Sequence, residues 1–249
     1  MINKRIITIA SVFAIFAGSL MAQGSLRYGG DNAGGMRNGT SAASQLLIPQ
    51  GAAYLTGGGA VATATGVGAT YWNPAGVARA ANSLETTFSN RSYIAGMSVL
   101  FAGAAMKFGS NAIGINIRSV DIGEIPVTTV FSPDGTGEKF SPSNFTAGLT
   151  YSRMMSSKTS MGISVNATSE GFRRVKGQAI TIDAGVQYTD FLSVSGLDVG
   201  VAVRNFGRPM RYDGSGLLHK AVAVGSDRLT QFYKVEPAEF DVPMLFELG

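Results

Sequence analysis

The residue types that usually carry out chemistry are scarce in this chain. It has one histidine, His219, and no cysteine. Thiolate zinc sites, cysteine nucleophiles and disulfide scaffolds are therefore excluded, and histidine-based catalysis or metal binding is disfavoured. The acidic residues show no paired-carboxylate spacing, and no serine lies in a nucleophile elbow. We expect a protein without enzymatic activity, metal site or cofactor.

Glycine-rich loops can cradle phosphate groups, and this chain contains two dense glycine strings, Gly57-Gly58-Gly59 and Gly66-Val67-Gly68. No Gly-Lys-Ser/Thr element follows them, and no strand-to-helix unit has an acidic residue downstream. A nucleotide site is therefore not expected. Glycines at this density also allow backbone to pack closely against backbone, which is the interpretation we favour.

The composition limits the partners that the chain can bind. Charged residues make up 14% of the chain, against roughly 25% in an average soluble domain. The formal net charge is only +4, and beyond Lys4-Arg5 the basic residues are scattered singly apart from Arg173-Arg174. Nothing in this pattern predicts nucleic-acid binding, which needs a clustered basic stripe.

The N-terminus predicts a secretory signal peptide over residues 1–22. Lys4 and Arg5 precede an apolar run from Ile6 to Leu20, and the small residue Ala22 stands just before the expected cut. The run is shorter than the roughly 20 apolar residues of a membrane-spanning helix, so an N-terminal anchor is the weaker alternative.

Beyond Ser83, apolar residues alternate with polar or small residues in runs bounded by turn residues, which predicts β-strands. The clearest alternating segments are 97–101, 113–117, 145–151, 161–167, 180–188 and 197–203. A turn is predicted at Ser156–Lys158. Runs of about 8–11 residues match the length of a tilted strand that crosses a bilayer. The apolar face suits lipid, and the Gly, Thr, Ser and Asn face suits a polar barrel lumen.

A soluble β-sandwich also alternates, with its apolar face turned inward. The signal peptide, the rarity of Lys and Glu on the polar faces and the glycines within strands favour a membrane barrel. Tyr93, Tyr151, Tyr188 and Phe191 lie at predicted strand ends, as expected of the aromatic girdles at a membrane interface. The predicted fold is thus all-β, an antiparallel transmembrane β-barrel.

Residues 23–82 lack this alternation and are dominated by Gly and Ala. Residues 41–49 predict a short helix that Ser41 caps and Pro49 ends. A second helical turn is predicted from Pro74 to Ala78, with Asn73 as its cap. The neighbouring Trp72 is the only tryptophan of the chain, and we favour a packing anchor over a ligand-stacking platform for it.

Two charges fall on the polar faces of successive predicted strands, Asp183 and Arg204. They are candidate lumen-facing charges that could pair across the barrel wall. A salt bridge that stabilises the strand register is the favoured interpretation, and a selectivity determinant is the alternative.

Several strings, in their order and spacing, resemble the PorV/PorQ family of outer-membrane proteins from Bacteroidota and their relatives. The strings are Tyr71-Trp72-Asn73-Pro74-Ala75-Gly76, Asp121-Ile122-Gly123-Glu124-Ile125-Pro126-Val127-Thr128-Thr129, Asp134-Gly135-Thr136-Gly137-Glu138-Lys139-Phe140, Ala147-Gly148-Leu149-Thr150-Tyr151, Ile182-Asp183-Ala184-Gly185-Val186 and Asn205-Phe206-Gly207. The resemblance implies a FadL-like barrel of about 14 strands with an N-terminal helical and Gly-rich segment folded into its lumen.

The resemblance also implies roles for particular residues. Trp72, Asn73, Pro74, Ala75 and Gly76 would form the structural motif of the luminal plug. A long extracellular loop would run from Asp121 to Pro142. Its candidate recognition residues are Glu124, Pro126, Asp134, Gly135 and Gly137.

Two features depart from the family pattern. Residues 64–69 lack the polar residues that family members carry before the Trp-Asn-Pro string. Residues 242–249 resemble a strand that the family places before further hairpins. We therefore expect a C-terminally truncated copy with roughly nine or ten strands, organised as a signal peptide (1–22), a plug segment (23–82) and an incomplete barrel (83–249).

By resemblance, the expected function is non-enzymatic, in the outer membrane, as a type IX secretion protein that binds and shuttles secreted cargo. Its partners would be outer-membrane lipid, secretion-system proteins and the C-terminal signal domains of cargo. The alternative is FadL-like transport of a hydrophobic small ligand, with residues 57–68 as a movable element. A soluble secreted β-sandwich used for adhesion is a third hypothesis.

Overall fold

The computed structural model describes residues 41–55, 60–221 and 231–249. The predicted signal peptide and the first part of the predicted plug segment lie outside these residues. The described strands are β1 (Leu84–Ser92), β2 (Ser98–Phe108), β3 (Asn111–Asp121), β4 (Ile125–Pro126), β5 (Lys139–Phe140), β6 (Ser143–Met154), β7 (Thr159–Phe172), β8 (Val175–Tyr188), β9 (Val199–Gly207), β10 (Arg211–Asp213), β11 (Leu218–Ala221), β12 (Gln231–Lys234) and β13 (Leu245–Leu248).

Most of these strands form one large antiparallel sheet in the order β1-β2-β3-β6-β7-β8-β9-β13, with β10 paired to β8. The predicted all-β antiparallel class is confirmed. The sheet has nine strands, compared with the nine or ten expected. β1 and β13 are its edge strands, and they do not pair with each other in the part of the chain that the structure describes. Two small sheets, β4-β5 and β11-β12, stand apart from it.

The large sheet has an inverted distribution of polarity. Its covered face, here called the inner face, carries many buried polar side chains, namely Asn116, Arg118, Thr146, Thr150, Ser152, Ser164, Asn166, Thr168, Thr181 and Asp183. The opposite, outer face is apolar and open. Across its middle, Ile115, Leu149, Val165 and Ile182 stand side by side in register. They are 54%, 58%, 46% and 41% exposed. A water-soluble sheet would bury this row.

Hydroxyl groups satisfy one another across the inner face. The Oγ1 atoms of Thr146 and Thr168 are hydrogen-bonded at 3.1 Å, and the Thr150 Oγ1 and the Ser164 Oγ are hydrogen-bonded at 2.7 Å. Each pair joins β6 to β7 at positions that are directly opposite in the ladder. Cross-strand hydroxyl pairs of this kind stabilise the register while keeping the inner face polar.

Antiparallel pairing places the connections at two opposite rims. At the turn rim the connections are short, comprising residues 109–110, 155–158 and 189–198, and the predicted turn at Ser156–Lys158 is confirmed there. At the other rim, the loop rim, residues 122–142 form a long excursion that contains β4 and β5.

That excursion has its own structure. Ile125 pairs with Phe140 in the β4–β5 ladder, and a 2.9 Å ion pair joins Glu124 to Lys139 beside it. Glu138 pairs with Arg173 at 3.1 Å, beyond the end of β7. Of the candidate loop residues, Glu124 and Pro126 lie on this hairpin stem, whereas Asp134, Gly135 and Gly137 lie nearer its tip.

The predicted helix over residues 41–49 is wrong in its extent and its cap. The structure has a single 3-10 turn, Ser44–Leu47, and the residue before it is Ala43 with a φ of 55°. No side chain caps this turn. Tertiary contacts override the local signals, because the carbonyls of Leu46 and Ile48 accept hydrogen bonds from Tyr71.

Among the helices of the described ranges, none combines the length and the apolar character needed to cross a membrane. The helices are short and lie within residues 44–79, apart from single turns between strands.

Asp190 closes the 189–198 loop at the turn rim, and its contacts predict that the stability of this loop depends on pH. Its carboxylate accepts a 3.0 Å hydrogen bond from the Gly196 N–H and lies 3.4 Å from the Lys158 Nζ. The Gly196 hydrogen bond, with Lys158 second, holds the pKa of Asp190 below its ordinary 3.8. Since the pKa is lowered on folding, this stabilisation of the loop is complete above pH 3.8 and is lost as pH falls through the lower, folded-state pKa.

We expect an NMR titration to give Asp190 a midpoint below 3.8. In Asp190→Asn, cleavage of the loop by protease should lose the part of its acid dependence that the Asp190 carboxylate contributes. A wild-type midpoint at or above 3.8 would contradict the assignment.

Candidate functional site

The inner face of the sheet is covered by residues 61–80, here called the inner segment. Within it, the short α-helix Ala69–Trp72 leads into the 3-10 helix Pro74–Arg79. Asn73 between them is extended, with φ −149° and ψ 108°, and its side chain accepts a hydrogen bond from the Ala75 N–H at 3.1 Å. The predicted helical turn with an Asn73 cap and Pro74 at its first position is therefore confirmed.

Asn73 also ties the inner segment together. Its Nδ2 donates to the Ala62 carbonyl at 2.6 Å, and longer contacts reach the carbonyls of Val186 and Val201 on β8 and β9. The residue is completely buried. The Asn73 amide thus accepts a hydrogen bond from the helix N-terminus and donates one to a buried carbonyl, which no hydrocarbon side chain can do.

Replacing Asn73 with Ala is expected to lower the free energy of unfolding by about 1–2 kcal/mol, because it removes the cap and one of the two side-chain donors to the Ala62 carbonyl, the other being Gln187. Urea unfolding in detergent or lipid vesicles measures the change. Asn90→Ala is the matched control, since Asn90 is exposed on β1. Equal losses in the two variants would contradict the role of Asn73.

Three strand glycines receive the inner segment, and we call them the glycine track. They are Gly162 on β7, Gly185 on β8 and Gly200 on β9. A Cβ at Gly162 would overlap the Pro74 carbonyl, one at Gly185 would overlap the Asn73 Oδ1, and one at Gly200 would overlap the Ala62 carbonyl. Gly162 and Gly200 allow backbone to lie directly on backbone, and Gly185 makes room for the Asn73 side chain. Glycine density in the sequence suggested such packing, but only the strand register identifies these positions.

The aromatic pair of the motif lies above the polar residues of the inner face. Trp72 and Tyr71 meet edge to face, with ring centroids 4.7 Å apart. The Trp72 Nε1 donates to the Gln50 carbonyl at 2.9 Å, and the Tyr71 hydroxyl donates to the Ile48 carbonyl at 2.9 Å. Both rings are buried, so their polar atoms hold residues 48–50 against the inner segment.

Arg79 anchors the end of the inner segment at the turn rim. Its Nε donates to the Ser160 Oγ at 2.8 Å, and its Nη2 donates to the Lys158 carbonyl at 2.6 Å. Both partners belong to the start of β7 and the turn before it. The planar guanidinium can satisfy several acceptors at once, which suits a fixed attachment point.

Glu85 on β1 makes a second attachment. One carboxylate oxygen accepts from the Val67 N–H at 3.1 Å, and the other accepts from the N–H groups of Ala81 and Asn82 at 2.9 and 3.2 Å. The carboxylate therefore joins the edge strand to two points of the preceding chain. Nothing in the sequence pattern singled out Glu85, because the contact depends on where the chain turns back.

The candidate charges Asp183 and Arg204 both lie buried on the inner face, but the expected salt bridge between them is not made. Arg204 pairs instead with Glu247 of β13 at 2.8 Å. Asp183 accepts hydrogen bonds from the Asn166 Nδ2 at 2.7 Å and the Asn205 N–H at 2.6 Å.

A β-bulge explains the difference. The β8–β9 register shifts between Ile182 and Ala184, which is the position of Asp183. Two residues of β9, Arg204 and Asn205, therefore lie opposite Asp183, and Asn205 has a φ of 57°. The irregular backbone turns the Asn205 N–H toward the Asp183 carboxylate, so the amide takes the place that regular alternation would assign to Arg204.

The described residues contain no group of three or more His, Cys, Asp and Glu side chains that could hold a metal ion. His219 lies exposed on β11. The chemical resources of the inner face are instead hydroxyl groups, amides and two buried arginines, Arg118 and Arg204. Such groups form hydrogen bonds and ion pairs, by which they bind other groups and fix their orientation.

Comparison with known proteins adds no relative to this description. No family model, no curated protein and no solved structure matches the chain.

Proposed function

We propose that this chain is an outer-membrane β-barrel protein whose lumen is filled by its own N-terminal segment and whose loop rim is a non-enzymatic docking surface for secreted proteins. The single observation that carries the membrane part of the proposal is the inverted polarity of the large sheet. The central outer row, Ile115, Leu149, Val165 and Ile182, is open to the surroundings while Asn166 and Thr150 are buried.

An apolar outer face over a polar inner face is favourable when the outer face is surrounded by lipid. Each exposed aliphatic side chain gains roughly 1.5–3 kcal/mol when it leaves water for an apolar medium. Outer-membrane strands alternate in this sense, apolar outward and polar inward. In a bilayer, the free backbone groups of β1 and β13 also need partners, so the proposal requires that these two edges be closed in the membrane.

The docking part of the proposal rests on the loop rim and on the resemblance to the PorV/PorQ family. The excursion over residues 122–142 contains a paired hairpin stem, braced by the Glu124–Lys139 and Glu138–Arg173 ion pairs. Structured long loops commonly carry function. Under the resemblance, this loop would receive the C-terminal signal domains of cargo in type IX secretion.

A fixed inner segment supports docking over passage of hydrophobic molecules. Arg79 and Glu85 attach the segment to β7 and β1, and the Asn73 Nδ2 contacts backbone carbonyls of β8 and β9. On β6 and β7 the inner face carries buried hydroxyl and amide groups, whereas its buried side chains on β2 are apolar. FadL-like uptake would need the segment to move, and an uptake assay in liposomes with a labelled fatty acid separates the two functions.

Replacing residues 127–138 with a short Gly-Ser linker is the direct test of docking. We expect cargo with C-terminal sorting domains to be lost from the cell surface and to fail to co-purify, while the protein remains in the outer-membrane fraction. The matched control replaces residues 191–196 at the turn rim and should leave cargo attached. Unchanged cargo retention after the 127–138 replacement would overturn the docking role, and a protein found only in the soluble fraction would overturn the barrel.

A further inference from the structure

The tip of the 122–142 excursion presents two apolar side chains to the surroundings. Val130 is 93% exposed and Phe131 is 96% exposed. Of the large apolar side chains that the structure describes, these are the two most exposed. Neither packs against the rest of the protein, so neither stabilises the fold by burial. Apolar groups exposed in this way favour association with another apolar surface.

A tight turn holds the two residues at the tip. Thr129 and Ser132, on either side of them, exchange two backbone hydrogen bonds of 3.2 and 3.1 Å. The Thr129 Oγ1 accepts a further hydrogen bond from the Ser132 N–H at 3.1 Å. Short turns normally carry Gly, Asn, Asp, Ser or Pro, which suit the bent backbone. Turn chemistry therefore does not explain a Val-Phe pair here, and residues that break a local rule without a packing gain indicate function.

The stem below this turn is fixed to the large sheet. The Val127 N–H donates to the Glu138 carbonyl at 2.8 Å, and the Thr136 N–H donates to the Val127 carbonyl at 2.8 Å. At the base of the stem, Phe140 meets Phe172 at the end of β7 edge to face, with ring centroids 5.0 Å apart. The tip thus has a set position before any partner binds, which lowers the entropic cost of binding.

The charge and shape of the tip favour a protein partner over a lipid surface. Residues 127–138 include Asp134 and Glu138 but no Lys or Arg, whereas segments that bind membrane surfaces carry basic residues for anionic lipid. Glu138 is paired with Arg173, but the exposed Asp134 lies three residues from Phe131. A convex tip with one ring and a nearby carboxylate complements an apolar pocket that has a basic group at its edge.

We propose that Phe131, with Val130 beside it, is the anchor through which the loop rim binds cargo. The sorting domain of the cargo presents an apolar pocket that takes the Phe131 ring, and a basic residue at the edge of this pocket pairs with Asp134. The inference rests on the proposed docking function and names the contact by which docking takes place. Glu124 and Pro126, on the hairpin stem, position the tip.

The test is isothermal titration of the full chain, in detergent micelles, with an isolated C-terminal sorting domain of a secreted cargo protein. We expect Phe131→Ser to weaken binding at least about tenfold, because a buried aromatic anchor carries a large share of binding energy. Asp134→Asn should weaken binding less and reduce its dependence on salt. Both variants should keep the wild-type Tm, since both side chains are exposed.

Phe232→Ser is the matched control, because Phe232 is 65% exposed on β12, outside the excursion. It should bind as the wild type does, and an equal loss in Phe232→Ser and Phe131→Ser would overturn the anchor. Unchanged binding in Phe131→Ser, when replacement of residues 127–138 abolishes it, would overturn the anchor and leave docking intact. Unchanged binding in both would overturn docking itself.

Photocrosslinking in living cells identifies the occupant of the site directly. A photoreactive benzoylphenylalanine in place of Phe131 should form adducts with proteins that carry a C-terminal sorting domain. Adducts confined to lipid, or to proteins that lack such a domain, would overturn the assignment of cargo as the partner. The same label in place of Phe232 is the control and should give no cargo adduct.

Discussion

Replacing Leu149 with Arg is expected to destabilise the membrane-inserted protein by about 2–4 kcal/mol, the cost of a cationic side chain on the lipid face near the bilayer midplane. Leu149 lies in the central outer row between Ile115 and Val165 and is 58% exposed. Denaturant unfolding from lipid vesicles, or the yield of folding into them, measures the change. The physical reason is that the exposed neighbours of Leu149 are apolar, so no partner can compensate the charge.

Two controls isolate the position of the charge. Ser157→Arg adds the same side chain at the exposed turn rim and should change stability by less than about 0.5 kcal/mol. Leu149→Met keeps the outer face apolar and should also be tolerated. If Leu149→Arg were as harmless as Ser157→Arg, water rather than lipid would face the outer row, and a secreted β-sandwich would become the better description.

Gly162→Ala is expected to be a severely damaging small substitution on the inner face, with a cost on the order of 3 kcal/mol. The added methyl group would overlap the carbonyl of Pro74 and approach the Ala75 nitrogen to 2.6 Å. Both obstacles are backbone atoms of the inner segment, which Asn73 and Arg79 hold in place, so neither can move aside cheaply. We expect the inner segment to separate from the sheet and to become sensitive to protease within residues 61–80.

Gly171→Ala supplies the comparison within the same strand. The nearest atom to its added methyl group is the Ser143 Oγ at 2.5 Å, the end of a side chain that can rotate away. Its stability and protease pattern should therefore stay close to those of the wild type. Equal protection of residues 61–80 in Gly162→Ala and the wild type would mean that the glycine track does not seat the inner segment.

Local signals in the sequence predicted much of the secondary structure. The alternation in residues 145–151 and 161–167 gave strands because a β-strand has a period of two, whatever surrounds it. Asn73-Pro74 predicted a capped helical turn because the restricted φ of proline and the side-chain oxygen of asparagine act within the neighbouring residues. The helix expected over residues 41–49 failed since Tyr71, distant in sequence, takes two of its carbonyls as acceptors.

The contacts of the site between residues distant in the chain could not be predicted from the sequence. The expected contact of Asp183 with Arg204 depends on a perfect ladder, and one bulge between Ile182 and Ala184 redirects both side chains. The Glu85 attachment and the partner of Arg204 on β13 each depend on where distant parts of the chain cross in the fold. No pattern of neighbouring residues encodes such crossings.

By itself, the sequence determined that the strands have one apolar and one polar face, since that property belongs to the order of residues along each strand. It did not determine which face is covered. Only the tertiary structure decided that, by laying residues 61–80 on the polar side through the glycine track and by leaving Leu149 and its row open. The physical reason is that covering a face requires a second piece of chain at the right distance, and that distance is a property of the fold.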